Sequence, residues 1–276
     1  MRRLLRAAVW ILLLVCVASA AGAERLDDET LYSFYDDSVF FGDSITRALT
    51  NHVTDLRQKG EQVLPNTFFY STGSITLNDG SRPTVVGTSR CFNYRGMDVT
   101  MYFITISVKA KKVFIMLGMN DPVGLRIDLA LERIEDIMYY MRRDTRTADV
   151  EVYFFSVTPV GARYCEERNR PEYQDSLDEY NRQLKEKCAE LGAGYIEVAE
   201  ALKGEDNLLD PAYSSDRGMF HLNADGLDVW LTCLRDYAQE QYDLGLWDPI
   251  RKSEDYNTDY NTVDHTPAMS TDLTTQ

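Results

Sequence analysis

The stretch 36–49, DDSVFFGDSITRAL, sets a small and apolar run, Ser38 to Phe41, directly against Gly42-Asp43-Ser44, and a helical pattern begins at once. A short run of this kind bounded by turn residues reads as a strand buried on both faces. A serine at the junction of such a strand with a helix projects its hydroxyl above the sheet, while its own backbone N–H belongs to the unpaired first turn of the helix. One residue can therefore supply an attacking oxygen and a donor to an anion. Ser44 also suits the plainer duty of capping the helix, which is what serine before a helix ordinarily does.

Working outward, four more runs share this character: TFFYS at 67–71, KVFIML at 112–117, VEVYFFSV at 150–157 and GYIEVA at 194–199. Between them lie helical patterns. In LRIDLALERIEDIMYYMRR the residues Ile127, Leu131, Ile134, Met138 and Met141 fall on one stripe. QDSLDEYNRQLKEKCAELG ends on Gly192, a natural helix stop, and NADGLDVWLTCLRDYAQEQY follows near the end. Strand alternating with helix implies a mostly parallel sheet with helices on both sides, because parallel neighbours need long crossovers. The expectation is a three-layer α/β/α domain over 29–247, with a flavodoxin-like five-stranded sheet. The turn-rich segment 78–100 reads as a long loop near the mouth of a site.

The two ends differ from this body. Arg2, Arg3 and Arg6 precede the apolar run AAVWILLLVCVA and then SAAGA, the pattern of a secretory signal over 1–23 with cleavage after Ala21-Gly22-Ala23. The run is short for a membrane span, so no stable membrane insertion is expected once it is removed. From 251 to 276 the chain is rich in Asp, Thr, Asn and Ser with few aliphatic residues, the composition of a disordered polar tail. Removing three arginines takes the formal charge from −15 to −18, so a basic footprint for nucleic acid is missing. Beyond the signal there are four cysteines. Cys91 and Cys165 read as loop residues, Cys188 and Cys233 as helix residues; pairing like with like and leaving them as free thiols both remain open.

In an open parallel sheet, ligands bind beyond the carboxyl ends of the strands. There lie Ser44, the segment Ser71-Thr72-Gly73-Ser74, the segment Gly118-Met119-Asn120-Asp121, and Thr158-Pro159. A serine hydroxyl needs a base, and the chain has three histidines. His52 falls two helical turns beyond Ser44, too far to reach it, and His265 lies in the tail. His221, just before the last helix, is left by elimination. The Asn120 amide can donate, and Gly73 lets a backbone N–H approach a substrate closely. With the Ser44 N–H these make a three-donor oxyanion hole for acyl transfer. Asp43 and Asp121 read as buttresses of their turns through local hydrogen bonds. No His/Cys cluster has metal-ligand spacing and no Gly-rich phosphate loop appears, so no metal and no cofactor are expected. G-x-S-x-G, the elbow of the common α/β-hydrolases, is absent.

These motifs, in this order, resemble the SGNH hydrolases, the GDSL-type esterases and lipases. The matching positions are Ser44 in FFGDSIT, Gly73 in YSTGSIT, Asn120 in IMLGMNDP and His221 in FHLNADG, within a resemblance that runs over about residues 37–240. It implies a serine esterase or acylhydrolase with Ser44 and His221 catalytic, and Ser44, Gly73 and Asn120 forming the oxyanion hole. Departures leave three points open. The family's triad acid commonly stands three residues before the histidine, where this chain has Gly218. Asp216, five before, reaches the imidazole only if RGMF bulges; otherwise a backbone carbonyl orients His221. Gly96 in NYRGMD rivals Gly73. Export, the acidic surface and family habit together point to an O-acetyl or short-chain ester on an extracellular carbohydrate or acylated small molecule. An O-acetyltransferase with the same chemistry, and a secreted carbohydrate-binding protein without catalysis, are the alternatives. The sequence does not give the oligomeric state.

Overall fold

The structure is a computed structural model that describes residues 25–87, 90–121 and 126–249. The expected signal at 1–23 and polar tail at 251–276 lie outside the described residues. Helix α1 (Asp28–Tyr32) leads into strand β1 (Ser38–Gly42), helix α2 (Ser44–Gln58) and β2 (Thr67–Ser71). A one-turn helix α3 (Leu77–Gly80) and a small hairpin of β3 (Phe92–Tyr94) and β4 (Met97–Val99) precede α4 (Met101–Ser107). Then come β5 (Lys112–Met116), α5 (Ile127–Arg143), β6 (Glu151–Phe155), α6 (Ala162–Arg168), α7 (Tyr173–Leu191), β7 (Gly194–Ile196) and α8 (Ala224–Asp243).

The large sheet has five parallel strands in the order β2-β1-β5-β6-β7. Counting its strands alone this is 2-1-3-4-5, the flavodoxin-like winding. Helix α8 packs on α1 and α2, and α5 packs on α3 and α7, so the sheet lies between two helical layers. β1 is buried along its whole length, as its unbroken apolar run requires. Cross-strand pairing places Phe40 beside Phe114 and Phe114 beside Tyr153, and their rings stack at centroid distances of 4.7 and 4.6 Å. Trp230 of α8 meets Phe155 edge-on at 5.3 Å and ties the last helix to the sheet.

Glycine ends β1 for a steric reason. A Cβ on Gly42 would lie 1.9 Å from Thr46 Oγ1 and 2.8 Å from the Met116 carbonyl oxygen, so only glycine lets α2 turn back directly over the strand end. That close turn sets Ser44 at the rim of the sheet.

Several expectations shift. Segment 78–100 is not one loop: a capping box between Thr76 and Asp79 nucleates α3, and Arg95-Gly96, both at positive φ, form the tight turn of the β3–β4 hairpin. The strand expected at 150–157 stops at Phe155 because the Asn181 side chain takes over from a neighbouring strand, accepting from Val157 N–H and donating to Val157 C=O, each at 2.9 Å. On α5, Ala130 and Ile137 are buried, whereas Ile127 and Leu131 of the expected stripe are half-buried. Cys165 lies on α6 rather than in a loop, and none of the four described cysteines is in a disulfide.

Candidate active site

Ser44 is the first residue of α2, and Asp43 caps that helix, its Oδ1 accepting from Ile45 N at 2.9 Å. Asp43 has the local Asx-type bond expected of it, and a second bond that the sequence did not suggest. Its Oδ2 accepts from Asn120 Nδ2 at 2.9 Å, tying the end of β1 to the turn after β5. Burial pushes the Asp43 carboxyl up to about 6, with the nearby His221 and the Ile45 N–H opposing that rise. Among the described residues the Asp121 side chain bonds across to another segment and not within its own turn. Its Oδ2 reaches across to Leu77 N at 2.5 Å and so anchors α3, and burial raises it also to about 6.

His221 comes to Ser44 across 177 residues of chain: Nε2 stands 3.0 Å from Ser44 Oγ. Its other ring nitrogen, Nδ1, stands 2.7 Å from Asp216 Oδ2. The segment between does bulge. Arg217 and Gly218 both adopt positive φ, 60° and 85°, so the chain loops around the Asp216 carboxylate. That carboxylate accepts from the backbone N–H groups of Met219 at 3.0 Å, Phe220 at 3.3 Å and His221 at 3.0 Å, and from Ser214 Oγ at 3.1 Å. Burial pushes its pKa up, but the hydrogen bonds from His221, Phe220 and Ser214 outweigh burial and hold it below the ordinary carboxylate value. The loop is held from outside by Gly161 N–H donating to Met219 C=O at 2.6 Å. With Nδ1–H given to a carboxylate, Nε2 is free to accept the Ser44 proton.

Among the described residues neither the Ser44 nor the Gly73 backbone N–H has a hydrogen-bond partner, as a site for an oxyanion requires. Gly96 is placed otherwise. It sits in the exposed hairpin turn, and its N–H is taken by Asn93 Oδ1 at 3.0 Å. Asn120 gives its amide to Asp43 and, at 3.2 Å, to Ile75 C=O.

His52 pairs with Asp228 of α8 at 2.7 Å and has no part in this cluster. Two features escaped the sequence reading: Ser214, which buttresses Asp216 while accepting from Gly218 N at 2.8 Å, and the bond of Asp43 to Asn120.

A buried strand ending in Gly-Asp-Ser, a distant histidine brought to that serine and an asparagine from the turn after β5 define a recognisable class. This chain belongs to the GDSL-like Lipase/Acylhydrolase family, which matches residues 40–229. Solved structures with the same fold include a GDSL-like lipase from Bacteroides thetaiotaomicron, 15% identical with a TM-score of 0.52, covering 82% of this chain and 95% of that one. Another, from Bacteroides fragilis and designated an acylhydrolase by inference, is 15% identical with a TM-score of 0.53 and covers 74% of this chain and 86% of that one. No curated protein matches the sequence. Among the described residues no helix is long and apolar enough to cross a membrane.

Proposed function

We propose that the protein is a secreted serine esterase that removes O-acetyl or short acyl groups from an extracellular carbohydrate. The observation that carries the chemistry is the Ser44 Oγ to His221 Nε2 approach of 3.0 Å, with Asp216 at 2.7 Å from Nδ1. The family is one of acylhydrolases. Secretion rests on the arginines and apolar run of the first 23 residues.

In this reading Ser44 Oγ attacks the ester carbonyl as His221 Nε2 takes its proton, and Asp216 stabilises the imidazolium. The oxyanion sits among Ser44 N–H, Gly73 N–H and the Asn120 amide, which exchanges its bond to Ile75 C=O for one to the oxyanion. Collapse expels the alcohol, which receives the proton from Nε2. Water, deprotonated by the same nitrogen, then releases the acid from acyl-Ser44. A binder without catalysis is disfavoured because Asp216 supplies a carboxylate to His221 from two residues before Gly218, the usual place of the acid.

The test is Ser44→Ala against 4-nitrophenyl acetate, with fluorophosphonate labelling of the unaltered protein. Activity should vanish and the label should map to Ser44. Hydrolysis by Ser44→Ala at the wild-type rate would overturn the assignment.

A further inference from the structure

Among the described residues, none gives the Arg47 side chain beside this site a counter-charge. It lies one turn after Ser44 on α2, and both terminal nitrogens of its guanidinium come 3.6 Å from where a Cβ on Gly73 would sit. It is half-buried. The chain has 44 acidic side chains to 29 basic ones, so carboxylates to pair it are plentiful. Three other partly buried arginines are engaged: Arg57 donates to the Val63 and Leu64 carbonyls, Arg133 pairs with Asp136, and Arg235 with Asp28 and the Tyr32 hydroxyl; Arg82, like Arg47, has no side-chain hydrogen bond or ion pair among the described residues, but it is Arg47 that adjoins Gly73. The Arg47 side chain has no hydrogen bond, ion pair or ring contact with any described residue, its one bond being the helical N–H to the Asp43 carbonyl at 3.0 Å.

A partly desolvated guanidinium presents a rigid fork of donors matched to a planar carboxylate. The fork meets Gly73 on the side where a side chain would project, not at its N–H, so it flanks the proposed oxyanion site, which has three donors without it. The overall negative charge works against anions at long range, but screening confines that effect to about 8 Å at physiological salt. Recognition of an anion here is therefore local to Arg47.

We infer that Arg47 is a specificity residue that binds a carboxylate on the substrate close to the scissile ester, so that acidic esters are preferred to neutral ones of the same size. The inference rests on the hydrolase reading of Ser44. The carboxylate belongs either to the acyl part, as in a half-ester of a dicarboxylic acid, or to the alcohol part, as in an acylated uronic acid.

Two substrate pairs separate these sources: 4-nitrophenyl pentanoate against mono-4-nitrophenyl glutarate, and O-acetylated methyl glucoside against O-acetylated methyl glucuronoside. In Arg47→Gln the acidic-to-neutral ratio of kcat/KM should fall about tenfold to a hundredfold in one pair, chiefly through KM, as expected for loss of a charge-assisted bidentate contact. Arg47→Lys should fall between, since it keeps the charge but not the fork. An unchanged ratio in both pairs overturns the inference, whether the rates stand still or fall equally on both members of each pair, which would place the charge on a transition state common to both. If the wild-type protein cleaves none of the four, the hydrolase reading fails separately. Calorimetric titration with glutarate and with methyl glucuronoside then decides the anion site. Binding present in wild type and lost in Arg47→Gln upholds it; binding of neither probe to wild type, or binding unchanged in the variant, overturns it.

Discussion

Replacing Asp216 by asparagine tests how much of the site depends on one carboxylate. Asp216 Oδ2 holds His221 Nδ1 and the backbone N–H groups of Phe220 and His221, while Oδ1 holds Met219 N–H and the Ser214 hydroxyl. An asparagine has a single oxygen. Set at the Oδ2 position it keeps the imidazole and its tautomer, but turns its own NH2 onto Met219 N–H, two donors face to face. An unsatisfied donor of this kind costs about 1–3 kcal/mol when buried, and the lower end applies because Asp216 is only partly buried. The larger effect falls on turnover. When Ser44 loses its proton the imidazolium has lost its anionic partner, and a bond to a charged group contributes about 1.5–3 kcal/mol. At about 1.4 kcal/mol per tenfold, kcat should drop roughly tenfold to over a hundredfold. Asp216→Ala removes all five acceptor contacts and should lose about 10³-fold or more. The assay is steady-state hydrolysis of 4-nitrophenyl acetate, with thermal midpoints confirming that both variants are folded. A kcat for Asp216→Asn within threefold of wild type, or an alanine variant no worse than the asparagine one, would refute the role given to Asp216.

Four further outcomes are expected. Asn120→Ala should reduce kcat about a hundredfold on the same ester with KM little changed, the signature of a donor that acts in the transition state. Gly161→Ala should also depress kcat: its Cβ would lie 2.2 Å from the Gly218 carbonyl oxygen, and pushing that loop moves His221, so a loss of about a hundredfold is expected for a displacement near 1 Å. A structure of that variant with the His221 ring unmoved would contradict the account. Asp36, Asp43 and Asp121 are each raised by burial to about 6 from 3.8, so the folded state takes up protons before the unfolded chain does. Stability should therefore rise as pH falls from about 6 toward 3.8, and calorimetric midpoints that stay flat or drop between pH 7 and pH 5 would count against it. His52→Ala breaks only the link to Asp228 between α2 and α8 and should cost about 1 kcal/mol or less in urea unfolding, with kcat unaltered.

Residues that carry their meaning in one short window were legible. Gly42-Asp43-Ser44 announced a strand end because the run before it is apolar without alternation, and the five strands followed from the same signal. The hairpin at 92–99 left a trace as well, in Arg95-Gly96 between aromatic and β-branched residues, yet surrounding turn residues masked it. Asp216 was harder, because its separation of five residues from His221 is converted into a bond only by two successive left-handed residues, and Arg217 does not advertise a positive φ as glycine does. The Asp43–Asn120 bond joins residues 77 positions apart and depends on β1 and β5 being neighbours in register, a consequence of the winding and not of either residue's surroundings in sequence. Arg47 is the reverse case. Its spacing from Ser44 was plain, but an arginine on a helix is ordinarily neutralised by one of its neighbours. What marks it out is that its side chain has no such partner among the described residues while lying against Gly73, a placement that depends on the end of β2 meeting α2 and that no single window of sequence shows.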